Sequence, residues 1–299
     1  MSSLQDRLLV ATLPLVPKTI VRRVAQPYIA GETLSDLVRV SKELNAQGFL
    51  AIGAILGEFV ESREEALAAV ADFEQVLAVI QESNLQSTIQ VKLTQLGLKL
   101  DKEFCYQNMR RLVSVARERG NFARIDMEDS SCTDDTLDIY SRLRREFDNV
   151  GAVIQACLRR SRADVGRLIQ SKANLRLCKG IYIEPRPLAY LDPEIVRRNY
   201  TLLLEDLLGA GCYVGIATHD EILVWEAFRI IDRLGLKPWQ YEFQMLLGVE
   251  EPLRRIIRDA GHRVRISVPY GPNWYPYSLR RLRKNPKIAG YVFKAMLSR

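Results

Sequence analysis

The chain has 299 residues, of which 47% are hydrophobic and 26% charged, and a formal net charge of +7 at pH 7. No apolar run approaches the ~20 residues that span a bilayer. Its five cysteines (105, 132, 157, 178 and 212) form no C-x-x-C, and His219 and His262 are its only histidines, which argues against a disulfide framework or a transition-metal site. The excess positive charge predicts an anionic partner: an acidic substrate, a phosphate-bearing cofactor, nucleic acid or an anionic membrane surface.

In chain order, the opening MSSLQDRLLVATLPLVPKTIVRRV does not read as a signal peptide. Asp6 and Arg7 precede a short apolar run broken by Pro14 and Pro17, and no small-residue cleavage site follows. The expected location is cytoplasmic, with peripheral contact at the inner face of a membrane left open. Residues 1–45 read as a helical preamble, with a helix in TLSDLVRVSKELNAQG capped at Thr33 or Ser35. Residues 46–299 then alternate short apolar segments with amphipathic ones.

The strand candidates are 49–57, 88–96, 122–129, 151–158, 174–182, 212–220, 241–248 and 262–271, most of them rich in β-branched or aromatic residues. Between them, REEALAAVADFEQVLAVIQES and EFCYQNMRRLVSVARERG carry apolar residues at helical steps, the latter stopping at Gly120. DPEIVRRNYTLLLEDLLGAG opens on an Asp192–Pro193 cap, and EILVWEAFRIIDRLG also ends in glycine. Cys157 and Cys178 fall inside predicted strands, where cysteine acts as a small buried hydrophobe. Eight strand–helix repeats predict a single (β/α)₈ barrel, with an open doubly wound sheet as the competing architecture.

In such a barrel the active site lies at the C-terminal ends of the strands. Polar residues collect near those ends: Lys92; Arg124, Asp126 and Glu128 on one face of the third strand; Gln155; Arg176 and Lys179; Thr218 and His219; Glu242 and Gln244. Unpaired buried charge would cost several kcal/mol, so these groups must serve each other or a ligand. After the last strand, Tyr277, Arg280, Arg281 and Lys284 share one helical face. Arginine suits bidentate recognition of carboxylate or phosphate. By pattern alone this face is equally an anion grip, a solvated basic face or a membrane-surface patch. GAGCYVG (209–215) lacks the full G-x-G-x-x-G and precedes a strand, so it is no dinucleotide fingerprint. A non-catalytic basic barrel that binds nucleic acid or a membrane, which LRRSR (158–162) and RRLRK (280–284) suggest, leaves the acidic strand-end residues unexplained and is not expected.

The stretches QVKLTQLG, RIDMEDS, VIQACLRRS, LRLCKGIY, IATHD, EFQMLLG and VPYGPNWYPYSLRRL occur in an order that resembles the proline dehydrogenase family, over roughly residues 29–286. The resemblance implies a (β/α)₈ barrel that binds FAD. It also implies hydride transfer from C5 of L-proline to flavin N5, giving Δ1-pyrroline-5-carboxylate, with electrons passed on to a quinone. On it, Lys92, Arg280 and Arg281 match the carboxylate-binding residues, and Tyr182, Leu246 and Tyr277 the lining of the ring pocket. Asp126 matches a strand-end aspartate that orients nearby cations. Arg176 matches an arginine near flavin N5. Met127, Gln155, Lys179, Gly180, Ile181, Thr218 and His219 match further FAD contacts, and Gln244 is grouped with them.

The chain departs from that pattern at three positions. Ser267 stands where the family usually carries tyrosine; the superfamily's hydroxyproline dehydrogenases resemble this chain there, which opens 4-hydroxyproline or another pyrrolidine carboxylate as an alternative substrate. Lys284 replaces the usual glutamate, and Ala54 a usual acidic residue in the first strand.

Overall fold

The computed structural model describes residues 18–57, 59–275 and 278. Eight parallel strands close into a barrel in sequence order: β1 Leu50–Ile55, β2 Ser87–Lys92, β3 Ala123–Asp126, β4 Val150–Gln155, β5 Asn174–Cys178, β6 Tyr213–Ala217, β7 Tyr241–Leu246 and β8 Val264–Tyr270. β8 pairs back onto β1 from Leu50↔Arg265 to Ile55↔Tyr270. The competing open sheet is thereby excluded.

The helices are α1 Lys18–Ala25, α2 Leu34–Ala46, α3 Arg63–Glu82, α4 Lys102–Glu118, α5 Thr133–Leu143, α6 Ser161–Leu168, α7 Pro193–Gly209, α8 Glu221–Leu234 and α9 Glu251–Asp259. Their starts follow from local chemistry. Thr33 and Asp36 form a reciprocal capping box on α2, Asp101 accepts from two backbone N–H groups of α4, and Asp192 does the same for α7 ahead of Pro193. Each such cap contributes about 1 kcal/mol.

Strand alternation then divides the sheet. Ile89, Val91, Ile125, Leu175, Leu177, Ile216, Phe243 and Ile266 point outward and are fully buried against Phe73, Leu112, Leu203 and Ile230 of the helices. The other face of each strand lines the interior. The preamble packs at the C-terminal end of the barrel: Ala25 and Ile29 meet Leu56, Tyr28 and Trp274, and Ala30 N donates to Pro269 O at 2.9 Å.

Several boundaries differ from the sequence reading. Every strand is shorter, chiefly at its C-terminal end. Residues Leu93–Leu96 form a 3₁₀ turn instead of continuing β2, and Cys157 lies in the turn after β4. Cys157 and Cys178 are only half-buried. Helices α5, α6 and α9, of 11, 8 and 9 residues, have no counterpart among the expected elements; packing against the barrel stabilises them.

Candidate active site

The barrel interior carries charge at two heights. Near the N-terminal end, Glu242 accepts from Arg265 Nε at 2.7 Å, from Tyr213 Oη at 3.0 Å and from Gln244 Nε2 at 2.6 Å. Burial alone would push the Glu242 carboxyl up, but Arg265, Gln244 and the nearby Arg124 outweigh it and hold it at about 2. Arg124, also buried, donates to the carbonyls of Ala152 and Asn174 and to Asn174 Oδ1. Burial, reinforced by Arg176, draws its guanidinium down to about 10. These groups need room to cross the barrel. The Cβ of an alanine at Gly151 would sit 2.7 Å from Arg124 Cζ and from Asn174 O, and one at Gly215 would sit 2.5 Å from Gln244 Nε2. Glycine at both positions opens the space the polar side chains occupy.

Above this floor, Arg176 is gripped on three sides. Its Nε donates to Gln244 Oε1 at 2.5 Å, its Nη1 to Asp126 Oδ1 at 2.6 Å and its Nη2 to Gln90 Oε1 at 3.0 Å. Lys92 and Asp126 are register partners on β2 and β3 and share the inner face, and Lys92 Nζ donates to Gly57 O at 3.3 Å. Gln155 is buried and donates to Glu128 O at 2.9 Å. Leu246 and Ser267 are register partners on β7 and β8, with Ile52 beside Ser267 on β1. The Ser267 hydroxyl is buried and has no hydrogen-bond partner among the described residues.

At the rim, Asp220 accepts from Lys179 Nζ at 2.9 Å and Arg197 Nε at 2.8 Å. Burial would raise its carboxyl, but these two cations bring it below the usual range. Its backbone N–H donates to Thr218 Oγ1, and Leu246 N donates to His219 Nε2 at 2.8 Å, so that nitrogen carries no proton. Gly180 has φ +101°, and a Cβ there would run into Cys157 Sγ. Ile181 beyond it is 65% exposed, Tyr182 is half-buried and Ile183 is 96% exposed. Glu184 fastens this loop, accepting from Ser130 N at 2.7 Å and Oγ at 2.6 Å.

The structure therefore brings Lys92, Asp126, Arg176, Gln155, Leu246 and Ser267 to the upper interior, and Met127, Lys179, Gly180, Ile181, Tyr182, Thr218 and His219 to the loops above. Tyr277, Arg280, Arg281 and Lys284 lie outside the described residues. Two expectations need correction. Arg124 and Glu242 belong to the floor and not to the strand ends. Glu128 lies past the end of β3, and its carboxylate accepts from Thr94 N at 3.1 Å and Thr94 Oγ1 at 2.6 Å. Burial pushes that carboxyl up in spite of these donors. Gln90, Asp220 and Glu184 were missed. Gln90 shares Lys92's face by alternation, which was the available signal; the other two depend on loop geometry. A cavity of about 500 Å³ opens at the opposite, N-terminal end of the barrel, beside Leu50, Thr88, Arg119 and Arg265, and holds none of the candidate residues.

The closed parallel barrel with interlocked charge in its upper interior has the (β/α)₈ architecture, in which active sites lie at the C-terminal ends of the strands. The profile of the family described as proline dehydrogenase matches residues 37–292. The chain is 34% identical over 275 residues to proline dehydrogenase 1 of Bacillus subtilis (strain 168), covering 92% of this chain and 91% of that protein. It is 33% identical over 278 residues to the proline dehydrogenase of Deinococcus radiodurans, covering 91% and 90%. The barrel superposes with a TM-score of 0.86 and 23% identity on proline utilization A from Bdellovibrio bacteriovorus inactivated by N-propargylglycine, covering 93% of this chain and 36% of that one. The chain belongs to the proline dehydrogenase family and is an oxidoreductase.

Proposed function

We propose that this chain oxidises L-proline to Δ1-pyrroline-5-carboxylate with FAD as its cofactor. The observation that carries the reading is Arg176, fixed in the upper interior by Asp126, Gln90 and Gln244 beside Lys92. The residues fit a flavin in two ways. Gly180 lets the loop after β5 lie close against Cys157 and Gln155, where a Cβ would not fit, and the exposed Ile181 and Ile183 of that loop offer apolar surface for a planar ring system. Arg176, Gln155, Met127, Lys179, Gly180, Ile181, Thr218 and His219 would hold it. FAD, when bound, supplies the acceptor for the hydride leaving C5 of proline.

The chain's own groups do the rest. Lys92 and the Arg280–Arg281 pair bind the carboxylate and so orient the ring; positioning of this kind supplies much of an enzyme's rate. Asp126 orients Arg176 and removes no proton. Leu246, Tyr182 and Tyr277 exclude water from the ring. Formation of trappable pyrroline carboxylate from L-proline by flavin-containing protein tests the reading; protein that purifies without flavin contradicts it.

A second reading is favoured by Ser267. A buried hydroxyl without a partner costs on the order of 1–3 kcal/mol, and this one sits between Ile52 and Leu246. A 4-hydroxyl group on the substrate ring would satisfy it. Comparison of kcat/KM for proline and 4-hydroxyproline decides between the two; Ser267→Tyr shifts the ratio towards proline.

We assign onward electron transfer to a quinone, with peripheral contact at a membrane. The net charge of +7 and the exposed Leu188, Leu191 and Ile195 support the membrane contact. Among the described residues no helix is long and apolar enough to cross a membrane. Quinone turnover that is unchanged by anionic vesicles rules the contact out.

A further inference from the structure

We infer that Glu242, at the barrel floor, is a positioning residue that sets the reduction potential of the bound cofactor through Gln244 and Arg176. The inference rests on the FAD reading above. Gln244 has an amide whose two ends are chemically distinct, and both are committed: Nε2 donates to Glu242 Oε1 at 2.6 Å, and Oε1 accepts from Arg176 Nε at 2.5 Å. The Glu242 carboxylate can only accept, so it dictates which end of Gln244 faces Arg176. That in turn fixes the Arg176 guanidinium, whose other two edges are held by Asp126 and Gln90.

The floor is also where the charge balance of the interior is set. Arg124, Arg176, Arg265 and Lys92 face the carboxylates of Asp126 and Glu242 inside the described barrel. Glu242 is almost fully buried, with 2% relative exposure. In so dry a setting a charge is screened far less than at the surface. Its negative charge offsets the cations and opposes the electron-rich, reduced state of a flavin above. Its hydrogen bond, by contrast, keeps Arg176 in place, and Arg176 favours that reduced state. Charge and relay thus act in opposite directions, which makes them separable.

The test measures the flavin midpoint potential by dye-coupled anaerobic titration of the FAD-loaded wild type and two variants. Glu242→Gln keeps the shape and removes the charge, and because Arg265 Nε and Gln244 Nε2 both donate to the same oxygen, the amide oxygen takes that place and the relay is kept; the reduction equilibrium is expected to move about tenfold towards the reduced flavin, which is about 30 mV positive for a two-electron couple. Gln244→Met keeps the charge and cuts the relay; the potential is expected to move negative. Potentials within twofold of wild type on the equilibrium scale, or shifts of the same sign in both variants, overturn the inference. Should Glu242→Gln yield no folded protein, Gln244→Met decides alone, and the absence of a negative shift overturns it. A wild type without flavin overturns the FAD reading and this inference together, whereas unmoved potentials in flavin-loaded protein overturn this inference only.

Discussion

Arg176 on β5 and Asp126 on β3 meet inside the barrel at 2.6 Å, with their side chains 12% and 17% exposed. A buried ion pair contributes little net stability, but removal of one partner strands the other and typically costs 3–5 kcal/mol. Asp126→Ala is therefore expected to lower kcat/KM for proline by about 10²-fold and to reduce Tm, with Asp126→Asn milder on both counts. Steady-state kinetics and thermal denaturation check this. Unchanged kinetics in Asp126→Ala would remove the orienting role assigned to the aspartate.

Lys92 stands beside Asp126 in register and above the floor network. Charge-assisted hydrogen bonds contribute about 1.5–3 kcal/mol. Lys92→Met is expected to raise KM for proline about 10- to 100-fold, with flavin content retained. Equal loss of flavin and of proline binding would point instead to collapse of the rim.

Gly151 leaves room for Arg124, and a Cβ there would sit 2.7 Å from Asn174 O, a backbone atom that cannot swing aside. Overpacking of this kind costs about 1–3 kcal/mol. Gly151→Ala should lower Tm by several degrees. At Gly166 a Cβ would meet nothing within 4 Å, and Gly166→Ala in the α6 helix should leave Tm unchanged or raise it slightly.

Glu242 titrates at about 2 in the folded chain against 4.5 for its ordinary carboxyl. A carboxyl depressed on folding contributes stability that is complete above the unfolded value and lost as pH falls towards the folded one. The wild type should lose stability between pH 4.5 and 2 more steeply than Glu242→Gln. Chemical denaturation at stepped pH reads the slope difference; parallel curves would mean that Glu242 is not held ionised.

How much of this the sequence carried depends on the kind of feature. Strand number and order were legible because each apolar run is bounded by amphipathic helix or turn residues. Lys92, Asp126 and Arg176 were legible as inward-facing because alternation holds within a strand. Alternation no longer sets the face two residues past the end of β3, where the Glu128 carboxylate turns to Thr94 instead of sharing the inner face with Asp126. Period-two reasoning also gives the face of a residue but not its height, so it places Arg124 and Glu242 with the rim groups although both lie at the floor. Which partner each charge takes, as in the Glu242–Gln244–Arg176 chain, requires three strands to be closed on one another.

We propose that the upper barrel interior oxidises a pyrrolidine carboxylate with a bound flavin. Anaerobic titration of the purified protein with L-proline and, separately, with 4-hydroxyproline tests it most directly. Yellow protein is expected, with flavin absorbance that bleaches on addition of at least one of the two. Flavin-loaded protein that stays oxidised with both substrates would contradict it.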